Sequence, residues 1–141
     1  MLKGISPILS PELLKVLAEM GHGDELVLGD SNFPGATHAK RLLRADGHSI
    51  TSLLEAIVPL FPFDTYAQPL IMMDVVPGDP LDPAVEADYL RVIRGFQPGI
   101  AAPLRIERHA FYERARQAFA VLMTGEVRVY GNLILKKGVI K

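Results

Sequence analysis

The chain has 141 residues, 49% of them hydrophobic and 22% charged, with 15 basic against 16 acidic side chains and a formal net charge of -1. That is one globular domain's worth of chain with enough apolar residues for a core, and it lacks the basic field that binds nucleic acid or an anionic membrane surface. With no cysteine, disulfides, thiolate catalysis and thiolate metal sites are excluded, and the composition suits a reducing compartment.

Pro7 and Pro11 interrupt the apolar residues near the start, so no signal-type run is expected there. No stretch approaches the ~20 apolar residues that span a bilayer. A cytoplasmic protein is the expectation. The mean hydropathy of +0.21 is high for so short a chain. Small proteins have much surface per residue, so part of that apolar surface is expected to be covered by other subunits, in a homo-oligomer.

In chain order, Ser10 is placed to cap a first helix, Pro11 suits its first position, and Leu13, Leu14, Leu17 and Met20 form one stripe that Gly21 would end. Glu25 to Gly29 reads as a strand buried on both faces, because Leu26, Val27 and Leu28 are contiguous. Ser52 and Glu55 resemble a capping box for a helix with Leu53, Leu54, Ile57 and Val58 on one face, ended by Pro59. "PLIMMDVV", residues 69–76, predicts a second buried strand with Asp74 inside it. Asp82 and Pro83 open a third helix carrying Val85, Tyr89, Val92, Ile93 and Phe96 at helical spacing.

After the loop "QPGIAAP", "LRIE" predicts a short strand, and residues 109–117 a short helix. "FAVLMTG" and "NLILKKG" predict strands on either side of the turn "EVRVYG", close enough in sequence to pair as a hairpin-like edge. Buried strands interleaved with helices predict an α/β fold, a sandwich with at least part of its sheet parallel.

Ligands of such sheets collect beyond the carboxyl ends of the strands. Asp30 falls at that rim, whereas His22, in the glycine-flanked loop "GHGD", enters the same strand from the opposite end. The five residues of strand between them span about 17 Å. The two meet only if the loop folds back or a site is shared between subunits. Each also has a plain structural role open to it: a solvated loop histidine, and an aspartate that shapes the "SNFPG" turn. Asp74, as a carboxylate in an apolar strand, calls for a partner, and an arginine ion pair is expected.

Further along, Arg108 and His109 stand at a strand-to-helix junction, and helical spacing puts Tyr112 on the same side as Arg108. A charged surface helix anchored by Phe111 and Phe119 is the structural alternative. Tyr130, Gly131 and Asn132 bring together a phenol, a glycine and a carboxamide, and both polar groups can donate to and accept from sugar hydroxyls. The segment is equally a plausible turn. The histidines, His22, His38, His48 and His109, lack the spacing of a metal site, and Gly21-x-Gly23 precedes its strand instead of following it as a dinucleotide fingerprint would.

"LSPELLKVLAEMGHGDELVLGD", "FYERAR" with "AFAVLMTGE", and "YGNLILKKGV" occur in this order. Together they resemble the ribose-pyranase/fucose-mutarotase family (RbsD/FucU type), over nearly the whole chain. The resemblance implies an RbsD-like three-layer α/β sandwich with a mixed, largely parallel sheet, forming a ring-shaped oligomer, typically decameric, with sites in clefts between subunits. It implies an isomerase that interconverts sugar anomers without a cofactor or metal. By motif, His22 matches the general acid/base, and Asp30, Arg108, Tyr130, Gly131 and Asn132 match sugar-binding positions. Arg108 stands where ribose-type members tend to have histidine, which favours L-fucose as the substrate. His38 inherits no role, and His109 departs from the pattern.

Mutarotation suits a histidine, because ring opening moves a proton off the anomeric hydroxyl and onto the ring oxygen, and imidazole titrates near ~6.5. Two rivals stand beside an L-fucose mutarotase: a sugar-binding, transport-associated protein without catalysis, and a D-ribose pyranase. A pure binder has no need of a titratable group at the anomeric carbon, so His22 discriminates the first.

Overall fold

The computed structural model describes residues 1–141. Its sheet contains β1 (Glu25–Gly29), β2 (Leu42–Ala45), β3 (Leu70–Met73), β4 (Leu104–Ile106), β5 (Ala120–Thr124) and β6 (Leu133–Lys136), in the order β2-β5-β1-β6-β3-β4. β5 is parallel to β1 and β2, β4 is parallel to β3, and β6 is antiparallel to both its neighbours, β1 and β3. The sheet is therefore mixed and largely parallel, with β6 alone running against the rest. The helices are α1 (Pro11–Glu19), α2 (Gly35–His38), α3 (Ile50–Ile57), α4 (Pro83–Phe96) and α5 (Arg108–Gln117), with a 3₁₀ turn at Val58–Leu60 continuing α3.

Alternation of side chains across the strands sorts the apolar residues into two cores. Leu26, Leu28, Leu70, Met72, Leu122, Leu133 and Leu135 face α1, α3 and α4, meeting Leu13, Leu17, Leu53, Ile57, Val85 and Ile93. Val27, Ile71, Val121 and Ile134 face the other way onto Phe33, Phe111 and Ala115. Both faces of the central strands are covered, which is why β1, β3 and β5 read as unbroken apolar runs. These are the three layers of the sandwich. Truncating a fully buried residue such as Leu28 to alanine would cost about 2–5 kcal/mol.

Local signals held for α1 and α4. The Leu13 N–H donates to the Ser10 hydroxyl at 3.1 Å, and the Ala84 N–H donates to the Asp82 carboxylate at 2.9 Å. Elsewhere the structure departs from expectation. α1 ends in an extended Met20, and the left-handed glycine of this loop is Gly23 (φ +86°), not Gly21. The free ends of α1 are instead held by Lys137, whose ammonium donates to the Leu17 and Met20 carbonyls at 2.7 and 2.6 Å. α3 is capped by Ser49, one turn ahead of Ser52, since Ser49 lies where the chain is still extended. Neither β2 nor α2 was anticipated: β2 is an edge strand with only alternate residues partly buried, and α2 is a single turn.

The expected β5–β6 hairpin does not form, because β1 lies between the two strands. Residues 125–132 are too few for the dozen or more residues of a parallel crossover. The chain leaves β5, passes over the carboxyl end of β1 and returns antiparallel on its far side. This short traverse is what places Tyr130, Gly131 and Asn132 above Asp30.

Candidate functional site

Asp30 directly follows β1, Asn132 directly precedes the antiparallel β6, and Arg108 begins α5 just beyond β4. All three therefore arrive at the same end of the sheet. Together with Asn32, Phe33, Pro34, Met73, Asp79, Pro80, Tyr112, Val129 and Tyr130 they line a cleft of about 430 Å³. Polar Asp30, Asn32 and Asn132 line it together with the apolar surfaces of Phe33, Pro34, Met73 and Tyr112.

The floor is tightly fixed. The Asp30 N–H donates to Asn132 Oδ1 at 2.8 Å, and the Asp30 carboxylate accepts from the Asn32 and Gly131 N–H groups at 3.0 and 3.2 Å. Burial raises the carboxyl pKa of Asp30, against the opposing pull of those backbone donors, and the nearby Glu126 charge raises it further. The Asn132 carboxamide NH2 makes no hydrogen bond within the chain and is not sealed from solvent. Arg108 is exposed and unpaired, so its guanidinium is available to a ligand.

Tyr130 has a left-handed backbone (φ 57°), which a non-glycine residue adopts only when its surroundings hold it there. Its hydroxyl donates to the Asp79 carboxylate and accepts from the Val76 N–H at 3.3 Å. The bond to Asp79 raises the phenol pKa.

Beneath the floor lies a buried polar frame. The Tyr89 hydroxyl donates to the Gly131 carbonyl at 2.7 Å and lies 3.4 Å from Glu126 Oε1, which also accepts from Arg128 at 2.7 and 2.9 Å. Arg128 reaches on to Asp88 at 2.6 Å. Thr124 Oγ1 donates to the Gly29 carbonyl at 2.7 Å and accepts from the Glu126 N–H at 3.2 Å. Burial and the Glu126 charge raise the Tyr89 pKa, keeping it a neutral donor. Gly131 lies so close to this frame that a Cβ there would come within 2.9 Å of the Arg128 carbonyl.

The remaining predicted residue is elsewhere. His22 lies before β1, at the opposite end of the strand from Asp30, and does not line the cleft. Its Nε2 is 3.1 Å from Asp64 Oδ1, and its ring centroid is 5.3 Å from that of Tyr66. Asp64 is buried, while the His22 side chain is 44% exposed. The structure thus brings Asp30, Arg108, Tyr130, Gly131 and Asn132 together and leaves His22 on another surface of the same chain.

Asp74 falls beyond β3, is exposed, and accepts from the Val75 N–H at 2.9 Å instead of from an arginine. Partly buried ion pairs form elsewhere, among them Glu25 with Arg114 at 2.7 Å and Glu86 with Arg105 at 3.2 Å. Tyr112 does share the cleft with Arg108, and it stacks on His38 at 5.0 Å. The sequence does not single out Asp64, Asp79 or Glu126, and it presents Tyr89 only as part of an apolar helical stripe. "FDTY" and "GDP" signal turns, but nothing local ties Asp64 to a histidine 42 residues away or Asp79 to a tyrosine 51 residues away. No three histidines or carboxylates converge as a metal-ligand set.

Residues 3–140 match the RbsD / FucU transport protein family. The chain belongs to that family. Among curated RbsD/FucU-type relatives, the L-fucose mutarotases of two Histophilus somni strains are each 59% identical over 140 residues, covering 99% of this chain and 97% of theirs. Among solved structures, the fucose mutarotase of Streptococcus pneumoniae in complex with L-fucose superposes with a TM-score of 0.93 at 44% identity, covering 99% of this chain and all of that one. FucU from Bifidobacterium longum superposes with a TM-score of 0.92 at 46% identity, with the same coverage. RbsD of Bacillus subtilis, solved with D-ribose, matches over the full length of both chains with a TM-score of 0.73 at 22% identity, which speaks to the fold alone. The RbsD-like sandwich expected from sequence is the fold observed. No helix is long and apolar enough to cross a membrane.

Proposed function

We propose that this protein is an L-fucose mutarotase, an isomerase that interconverts the α and β anomers by opening and reclosing the pyranose ring. The observation that carries the reading is the cleft above β1, in a chain so similar throughout its length to L-fucose mutarotases. Asp30, Arg108 and Asn132 present a carboxylate, an unpaired guanidinium and an unpaired carboxamide NH2 to it. The same cleft is lined by Phe33, Pro34, Met73 and Tyr112, whose apolar surface suits the methyl group of a 6-deoxy sugar.

His22 enters the site from a neighbouring subunit in a homo-oligomeric ring, typically decameric, in the cytoplasm. Within one chain β1 separates it from Asp30, so a partner must supply it. The imidazole takes the proton of the anomeric hydroxyl. The O–H electron pair becomes the carbonyl π bond, and the C1–O5 pair leaves with O5. O1 and O5 share one carbon, so the same imidazolium returns its proton to O5. Rotation about C1–C2 and the reverse sequence give the other anomer. Arg108 and Asn132 donate to the oxygens as charge develops, and Asp30 accepts from a sugar hydroxyl. No cofactor takes part.

A sugar-binding protein without catalysis is the second reading, and it is favoured by the separation of His22 from the cleft within one chain. Exchange NMR of L-fucose decides. Wild type should accelerate anomer exchange about 10²–10⁴-fold, and His22→Ala should abolish this while leaving the oligomer unchanged by sedimentation. Line broadening without accelerated exchange would establish the binder instead. Faster exchange of D-ribose than of L-fucose would establish a pyranase.

A further inference from the structure

The segment between β3 and α4 is pinned at both ends and folded tightly between them. The Asp74 N–H donates to the Ile106 carbonyl at 2.8 Å where the chain leaves β3, and Asp82 caps α4 where the segment ends. Within it, the Asp79 N–H donates to the Val76 carbonyl at 3.1 Å and closes a turn over residues 76–79. Pro77 and a left-handed Gly78 (φ +96°) are the residues that a type II turn places at its centre. Both ends of the turn grip one atom of the traverse above β1. The Val76 N–H donates to the Tyr130 hydroxyl at 3.3 Å, and that hydroxyl donates to Asp79 Oδ2. The left-handed Tyr130 (φ 57°) is followed by Gly131, whose N–H donates to the Asp30 carboxylate at 3.2 Å. Asp79 is thus fastened, through Tyr130, to the residues that line the cleft with it.

We propose that Asp79 is a specificity-determining residue, accepting a hydrogen bond through Oδ1 from a hydroxyl of the bound sugar while Tyr130 anchors Oδ2. The inference rests on the reading of this cleft as the sugar site of a mutarotase. A phenol has one proton to give, and Asp79 takes it, so Tyr130 has no donor left for a ligand. The bond to Asp79 raises the phenol pKa, so Tyr130 keeps that proton through the neutral range. Asp79 Oδ1 makes no hydrogen bond within the chain, and the residue is exposed and lines the cleft. Asp30, the other carboxylate there that takes part in the site, already accepts from two N–H groups, which leaves Asp79 the less committed acceptor. Asp79 and Arg108 line the same cleft without pairing with each other. An acceptor and a donor of opposite charge are therefore held apart in one cleft, and a neutral polyol, whose hydroxyls both donate and accept, satisfies both. A charged acceptor makes a stronger bond than a neutral one, and it discriminates against a ligand that brings no donor to it.

The test is calorimetric titration of the full-length protein with L-fucose and with a series of analogues, each lacking one of the hydroxyls at C1, C2, C3 and C4. Asp79→Ala should bind L-fucose at least about tenfold more weakly than wild type. For one analogue, the one without the hydroxyl that donates to Asp79, wild type and Asp79→Ala should bind alike to within about twofold. The other analogues should lose affinity in the variant as L-fucose does. Asp79→Asn keeps a carbonyl to accept the Tyr130 proton but turns an NH2 toward the sugar, and should show the same selective pattern. Wild-type affinities in both variants overturn the proposal. So does an equal loss for L-fucose and every analogue, which would leave Asp79 only as the anchor of Tyr130. If Asp79→Ala disturbs the turn, Asp79→Asn decides. Wild type that binds neither L-fucose nor any analogue would sink the underlying reading and this proposal with it, whereas binding without the selective pattern sinks this proposal alone.

Discussion

The Asp30 N–H and the Asn132 carboxamide oxygen meet at 2.8 Å across 102 residues of sequence. That bond joins the carboxyl end of β1 to the amino end of β6, where the two antiparallel strands bring their site-bearing loops to one rim. One donor and one acceptor thereby set the floor of the cleft, and the other half of the Asn132 amide is left for the ligand.

Asn132→Ala removes the partner of a buried N–H. Stability should fall by about 1–3 kcal/mol, read as a shift of the urea midpoint, and accelerated fucose exchange should be lost with it. Asn132→Asp keeps the acceptor but removes the NH2 donor and adds charge beside Asp30. It should fold, and titration of L-fucose should show weakened binding.

Gly131→Ala tests the closeness of the traverse above β1. Its Cβ would lie 2.9 Å from the Arg128 carbonyl and 3.1 Å from the Tyr89 hydroxyl. The segment must shift, at about 1–3 kcal/mol for overpacking. Fucose exchange should drop more than tenfold while far-UV circular dichroism stays that of the wild type. An unchanged exchange rate would mean that Gly131 does not need its present position.

The Tyr89 hydroxyl supports the same segment from below. Tyr89→Phe leaves the Gly131 carbonyl unpaired in a buried setting and should cost about 1–3 kcal/mol. Because Tyr89 is fully buried and does not line the cleft, any change in fucose affinity should be small beside the loss of stability. Paired unfolding and binding measurements separate the two.

Asp30 makes stability depend on pH in a stated direction. Burial raises its folded-state pKa above the ordinary 3.8. A raised carboxyl favours folding fully below that ordinary value, and the contribution is lost as pH rises through the folded-state pKa. Asp30→Asn carries no such dependence. The stability of wild type relative to Asp30→Asn should therefore be greatest near pH 3 and decline toward neutrality, measured by urea unfolding across that range. A relative stability that rises with pH would show that the backbone donors outweigh burial.

Much of the cleft was legible in the sequence. Asp30 follows an unbroken apolar run, and the position of a ligand beyond such a strand is a property of parallel sheets. Arg108 and Tyr112 share a side of α5 by helical spacing alone. Tyr130, Gly131 and Asn132 were legible as a polar segment before a buried strand, though not as neighbours of Asp30. Asp64 and Asp79 were not legible, because each acts through a single bond to a distant residue that no local pattern announces. Asp74 was misjudged because β3 ends at Met73, one residue before it, and a carboxylate past a strand end needs no buried partner.

By itself the sequence determined the buried strands β1, β3, β5 and β6, the capped helices α1 and α4, and the polar residues offered at their ends. Burial on two faces demands uninterrupted apolar runs, and caps and helical stripes are set by residues within a turn of one another. Only the tertiary structure decided that β6 inserts between β1 and β3, that Asn132 closes on Asp30, and that His22 pairs with Asp64 away from the cleft. Those outcomes depend on strand order and register across the whole sheet, where contacts between residues distant in sequence are chosen by the fit of both cores at once.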